Sequence, residues 1–408
     1  MLYPSLRHVT FNYPAIDNHA HPLLKAAYRS YVPFEGLISE AQGPALLEDS
    51  PHTLACYRAT AQLAPVFGLE GERATWEGVK EARDKTDYDE LCKMFLKPTG
   101  IQCVLFDDLF GDGGIAEGYK WHDQFTKSPS KRIVRVEVLA QGILSSLIDS
   151  QKASVVTPAL LESFISAFSK ALQHSAADPE VVGFKSVACY RTGLNVAISN
   201  TSAEIEESMM VAVSRYQTTK QLRIAEKAFN DLIVRMTCEV AGVCKKPIQF
   251  HTGLGDNDIS LPLSSPAHLQ PLIAHFPETP FILLHSSYPY TRDAGYLCSV
   301  YRNAYVDFGE IFPFVNGEGQ RDVIRQVLEL CPTNKILWST DGHWWPESYY
   351  LGSLQAREAL YEVLSQLITA RDLTEIQAIQ IVKNALFHNS NRIYRLGLQP
   401  VEDILGEQ

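Results

Sequence analysis

The sequence predicts a (β/α)8 barrel, on three observations. Eight short, β-rich apolar runs alternate with helical stretches along the 408 residues, the alternation expected of a parallel sheet wrapped by helices. Most of these runs are continuously apolar instead of strictly alternating, as strands covered on both faces are. No Gly-x-Gly-x-x-Gly follows the first run, which argues against the rival open sheet that binds a dinucleotide at its first turn.

In order, the predicted strands are 15–21 (AIDNHAH), 101–108 (IQCVLFDD), 133–140 (IVRVEVLA), 181–190 (VVGFKSVACY), 247–253 (PIQFHTG), 281–287 (FILLHSS), 304–309 (AYVDFG) and 335–341 (KILWSTD). Helices are expected at 157–174, 203–242, 266–276, 319–330 and 352–369. The spacing breaks once. Residues 22–100 read as several helices, an insertion at the carboxyl end of the first strand that could cover a site. A short tail of helix and loop is expected from about 389. The whole of 1–408 reads as one barrel domain without repeats.

Composition narrows the function. Hydrophobic residues make up 46% and charged residues 20% of the chain, values of a globular protein and not of a disordered or fibrous one. A formal net charge of −11 argues against a nucleic-acid or anionic-membrane surface, either of which rewards a basic patch. A small-molecule substrate is the expected partner. The amino terminus lacks a signal-peptide core, and no later stretch has the roughly 18 apolar residues of a membrane span. The eight cysteines are scattered without C-x2-C spacing and read as reduced thiols, so a cytoplasmic location is expected. A homo-oligomer suits a soluble enzyme of this kind, although no interface is legible.

The chemistry is concentrated at the strand ends. In a strand, residues i and i+2 share a face, so His19 and His21 project side by side. Lys185 lies on the fourth strand, and His251, His285 and Asp341 end the fifth, sixth and eighth. Taken singly, each histidine could be a hydrogen-bonded core residue and Asp341 a turn cap. Together, at the carboxyl face where barrel sites are built, they suit a divalent metal. Three imidazoles and a carboxylate can hold zinc and leave a position for a water whose pKa falls to about 7. Asp341 could take that water's proton and deliver it to a leaving group, and His285 could polarise a carbonyl or hold an oxyanion. Tyr190 and Arg191 follow the fourth strand; Arg191 and Arg292 are candidates for binding a substrate carboxylate. His343, with Trp344, Trp345 and Glu347, could shape a pocket beside the eighth strand.

The order HxH, Lys, His, His, Asp at successive strand ends resembles the amidohydrolase superfamily of metal-dependent barrels. More closely, DNHAHP, GFKSVACYRTGL, PIQFHTGLGDND, LLHSSYPY and STDGHWWPE resemble the amidohydrolase-related domain of FluG-type and nodulin/glutamine-synthetase-like proteins. In those proteins a glutamine-synthetase-like domain follows, and these 408 residues read as the first domain alone. The resemblance implies His19, His21, His251 and Asp341 as metal ligands and His285 as a ligand or catalytic neighbour. It implies one or two divalent ions, zinc first and manganese second. Three roles stay open for Lys185: a carboxylated bridge between two metals, a cation for a substrate carboxylate, or a structural ion pair.

The expected function is metal-dependent hydrolysis of a non-peptide C–N (amide) bond in a small carboxylate-bearing substrate. Two alternatives stand beside it. One is metal-dependent, non-oxidative decarboxylation of an unsaturated or aromatic acid, an activity found among barrels that the chain resembles. The other is a non-catalytic metabolite sensor in developmental signalling, which the FluG-type resemblance implies.

Overall fold

The computed structural model describes residues 2–108, 114–151 and 156–402; the end of the predicted tail lies outside the described residues. Eight parallel strands form one sheet in chain order: β1 Ala15–Ala20, β2 Ile101–Asp107, β3 Lys131–Arg135, β4 Val181–Ser186, β5 Ile248–Phe250, β6 Phe281–Leu283, β7 Ala304–Asp307 and β8 Ile336–Leu337. Each pairs with the next. Backbone hydrogen bonds close the ring: Asn18 N donates to the Trp338 carbonyl (3.3 Å), Asp341 N to that of His19 (3.1 Å) and His21 N to that of Gly342 (2.7 Å). The predicted barrel is the observed one, and all eight carboxyl ends share a face.

Several boundaries differ from the predicted ones. β5, β6 and β8 stop after two or three residues, because the polar residues that follow leave the ladder to line the barrel mouth. His285, Ser286 and Ser287, for example, have φ of 66°, 55° and 51°, a left-handed backbone that no strand can contain. β3 ends at Arg135, and the predicted strand residues 136–140 instead open a helix, Val136–Gln151. Val136, Ala140, Leu144 and Ile148 recur every four residues and are all buried, so helical periodicity prevails there. The single helix expected at 203–242 is two, Ser202–Thr219 and Lys227–Cys244, separated where Lys220 turns left-handed.

The insertion is helical, as predicted. Its helices Leu54–Leu63, Trp76–Lys85 and Tyr88–Leu96 each begin on a side chain, Thr53, Thr75 or Asp87, that accepts a first-turn N–H, the usual N-cap arrangement. Aromatic packing and one buried ion pair fasten it to the barrel. Phe34 stacks on Trp76 (5.0 Å) and meets Trp345 edge-on (5.9 Å), while Arg83 Nε donates to Glu347 Oε1 at 2.8 Å. Glycine is required at position 36, since a Cβ there would fall 2.8 Å from the Trp345 ring. Trp345 and Glu347 therefore hold the insertion down.

Beneath the mouth, a hydrogen-bonded polar group crosses the barrel interior. Asn18 donates to Asp307 (2.7 Å), Tyr394 to Asn18 (3.0 Å) and Gln249 to Tyr394 (2.8 Å). Apolar residues including Ile16, Leu105, Ile133, Ile282 and Phe387 fill the remainder below. The eight cysteines are free thiols, and seven are buried. No helix among the described residues is long and apolar enough to cross a membrane.

Candidate metal centre and its cavity

β1 carries His19, and His21 follows its last residue, with the two ring centroids 5.0 Å apart. Their Nε2 atoms approach one oxygen, Asp341 Oδ1, at 3.2 and 3.4 Å. His21 Nδ1 donates to the Asp107 carbonyl at the end of β2 (3.1 Å), which fixes the ring with Nε2 inward. The Lys185 ammonium nitrogen, from β4, lies 3.3 Å from His19 Nε2. Beyond β5, His251 Nε2 donates to the Leu254 carbonyl (2.8 Å) and leaves Nδ1 for the site. The His285 ring stands 4.3 Å from that of His251 and 5.5 Å from that of His19. Its Nδ1 lies 2.9 Å from Oε2 of Glu310, just beyond β7.

These atoms make two groups, His19–His21–Asp341 and His251–His285–Glu310, each with its ligand atoms within 4.8 Å of one another. None of the six residues is more than 8% exposed. Asp341 Oδ1, Glu310 Oε2 and both His285 nitrogens approach their neighbours without hydrogen-bonding geometry and have no hydrogen-bond partner. Buried lone pairs that converge without a proton between them are costly unless a cation joins them, so the donors present fit a divalent ion. His285, Glu310 and Asp341 also hold left-handed backbones, with φ of 66°, 60° and 52°, strain of the kind that gathers at functional sites.

Electrostatics favours neutral imidazoles. Burial, with Lys185 next, lowers His19 to about 4, and burial likewise lowers His251 and His285. Burial pulls Lys185 down to about 8 even though Asp107 and Asp341 oppose it. Glu310 is raised, by burial and then by Asp341. Burial would raise Asp341 too, but His285, His19 and His21 hold it well below the usual carboxylate range.

The donors form the floor of a cavity of about 400 Å³. Of the residues singled out in the sequence, His19, His21, Lys185, Tyr190, Arg191, His251, His285, Asp341 and His343 all border it. Tyr190 packs on His251 (4.4 Å), and His343 Nδ1 donates to the Asp341 carbonyl (2.9 Å). Arg292 does not belong to the site. It is exposed on the helix Thr291–Val300, where Glu329 engages it twice, at 2.8 and 3.0 Å; the charged neighbour on the next helix keeps it outside.

Sequence reasoning missed Glu310, Arg135, Glu40, Arg223 and Asp256, all of which border the cavity. Arg135 grips Asp107 Oδ2 through Nε (2.9 Å) and Nη2 (2.5 Å). Arg135 lies inside the run read as strand 133–140 and marks the end of β3 only in the structure, while Glu310 falls one residue past the run 304–309.

Residues 202–396 match the family model described as Amidohydrolase. The chain is 45% identical over 417 aligned positions to protein fluG of Emericella nidulans, an alignment that takes in 97% of this chain and 47% of that protein. It thus spans about half the length of that relative. Among solved structures, a "putative metal-dependent hydrolase" of Lactobacillus casei superposes with a TM-score of 0.78 at 23% identity, covering 96% of this chain and 98% of that one. A uronate isomerase of Bacillus halodurans superposes with a TM-score of 0.65 at 16% identity, covering 97% and 96%. These two likenesses extend to the fold.

Proposed function

This chain belongs to the amidohydrolase family, and on that footing we propose that it hydrolyses a C–N (amide) bond in a small, carboxylate-bearing substrate with the help of a divalent ion. The observation that carries the reading is the convergence of buried, unpartnered nitrogen and oxygen atoms at the barrel mouth. His19, His21, His251 and Asp341 would hold the ion, zinc first and manganese second. When bound, such an ion supplies Lewis acidity and an acidified water at neutral pH.

The remaining work falls to side chains. Asp341 accepts a proton from the attacking water as its oxygen bonds to the amide carbon, and returns that proton to the nitrogen as the C–N bond breaks. His285 and Glu310 form a buried pair that burial keeps net neutral. With Glu310 lying against Nδ1 at 2.9 Å, the outer edge of the His285 ring is left to hold the carbonyl oxygen as charge develops. Arg191, in the cavity wall, receives the substrate carboxylate through its planar fork. Tyr190, packed on His251 in the cavity lining, limits water beside that ring.

One observation favours a two-ion version. His251, His285 and Glu310 bring three ligand atoms within 4.8 Å, enough for a second ion between β5, β6 and β7, with Lys185 beside the first. Elemental analysis of purified protein, followed by a kinetic screen of γ-glutamyl and N-acyl amino-acid amides with the metal-replete form, tests the whole reading. Bound metal with amide turnover supports it. Bound metal without turnover of any amide, and carbon dioxide release from an acid panel instead, would replace hydrolysis by decarboxylation. No metal after loading with zinc and manganese would remove both.

A further inference from the structure

Besides Arg191, the walls of the cavity carry charges that the proposed chemistry leaves unused. Four cations border it, and three have near partners. Arg135 grips Asp107, Arg223 donates to Asp258 at 2.9 Å, and Lys185 lies among the donor atoms of the floor. Arg191 differs: its buried Nε has no hydrogen-bond partner, and no ion pair neutralises it among the described residues. Arg223 adds to the effect of burial in lowering it to about 10, so the guanidinium sits where an incoming anion is needed.

An acid in the opposite position is Glu40, on the inserted segment just past the short turn Phe34–Leu37. It borders the cavity, yet no cation pairs with it among the described residues. A carboxyl group open to a cavity and without a cationic partner is stabilised by a cation that enters it. Asp256 borders the same cavity as Glu40, Arg191 and Arg223, and its side-chain Oδ1 accepts the Asp258 N–H at 2.9 Å.

An unpaired guanidinium and an unpaired carboxyl bordering one 400 Å³ cavity call for a ligand with both charges. We propose that the cavity holds an α-amino-acid head group, its carboxylate on Arg191 and its ammonium between Glu40 and Asp256. This deepens the hydrolase reading and rests on it, since it places the scissile amide on the side chain of an amino acid instead of on its α-groups. The binding wall then has two sources: the loop after β4 supplies the cationic half and the insertion supplies half of the anionic one. Substrate choice is set in part by a segment outside the barrel.

Binding measured by calorimetry on the full-length, metal-replete protein tests this without requiring turnover. The probes are a panel of L-amino acids, each as the free zwitterion, the N-acetyl derivative and the α-carboxamide. At least one free amino acid is expected to bind about ten- to a hundredfold more tightly than both blocked forms, the size of one lost charge-assisted hydrogen bond. Glu40→Gln should erase discrimination against the N-acetyl form alone, and Arg191→Gln that against the α-carboxamide alone; near-isosteric replacements and a thermal melt guard against misfolding. Equal binding of free and blocked forms would overturn the proposal, as would binding of simple carboxylates with no free amino acid bound. The two readings fail separately. If the discrimination is found but no side-chain amide is turned over, the head-group site stands and hydrolysis falls; amide turnover with no discrimination has the opposite meaning.

Discussion

At the scale of single residues, the donor set makes a graded forecast. Metal per chain, measured by elemental analysis after dialysis, should fall by one equivalent in His19→Ala, because that change removes an Nε2 only 3.2 Å from Asp341 Oδ1. If a second ion occupies the His251–His285–Glu310 group, Glu310→Gln should lose that equivalent and spare the first. Arg191→Met should raise KM for a carboxylate-bearing amide by about ten- to a hundredfold, with a smaller change in kcat, since Arg191 touches the bound substrate away from the reacting carbon. The four histidines and Asp341 were legible because buried apolar strands seldom end in them. Glu310 was not. It follows Phe308 and Gly309 and precedes Ile311 and Phe312, so it reads as one acid in an apolar turn until β7 is seen to end at Asp307. Arg292 failed for the opposite reason: an arginine near a histidine in sequence can point outward, and its carboxylate partner lies on another helix.

At the scale of elements, the neutral His122 links the insertion to the loop between β2 and β3. It accepts the Leu23 N–H at Nε2 (3.1 Å) and donates from Nδ1 to the Gly118 and Tyr119 carbonyls. Burial lowers its pKa from 6.5 to about 4. Between those values the unfolded chain binds a proton that the folded one refuses, so the contribution to stability is whole above pH 6.5 and is lost as pH falls toward 4. The loss is about 3 kcal/mol. Urea unfolding of wild type and His122→Gln at steps from pH 7 to pH 4 should show a steeper decline in wild type by roughly that amount; parallel declines would show that His122 is not its source. The same scale shows what periodicity can settle. Five strands, β1, β2, β4, β6 and β7, start at the expected residue, and β5 and β8 start one residue later, because apolar runs mark where burial begins. Their ends were overrun, because site residues continue the run in sequence after leaving the ladder in space. Residues 136–140 alternate over so few positions that only the continuing spacing to Ile148 distinguishes helix from strand.

For the whole molecule, the insertion and the barrel stand or fall together at one buried ion pair. Arg83 and Glu347 are 3% and 0% exposed, and Arg83 also lies over the Phe34 ring at 4.7 Å. Glu347→Leu strands a buried guanidinium and should lower unfolding free energy by about 3–5 kcal/mol. The double change Arg83→Met with Glu347→Leu should recover most of the loss, which chemical denaturation of the three proteins would show. Global topology was the most legible level, since alternation of runs leaves few arrangements for eight parallel strands. The route of the insertion over the mouth was not legible, because packing such as Gly36 against Trp345 joins residues far apart in sequence.

The seam of the barrel sets a timetable for synthesis. His19 and His21 leave the ribosome about 320 residues ahead of Asp341 and of the backbone that hydrogen bonds to theirs. The growing polypeptide therefore carries two imidazoles and no finished chelate while those residues are added. On the proposed reading, ion capture has to wait for the eighth strand to arrive, and a cell short of zinc would accumulate closed, empty barrels instead of half-made metal complexes.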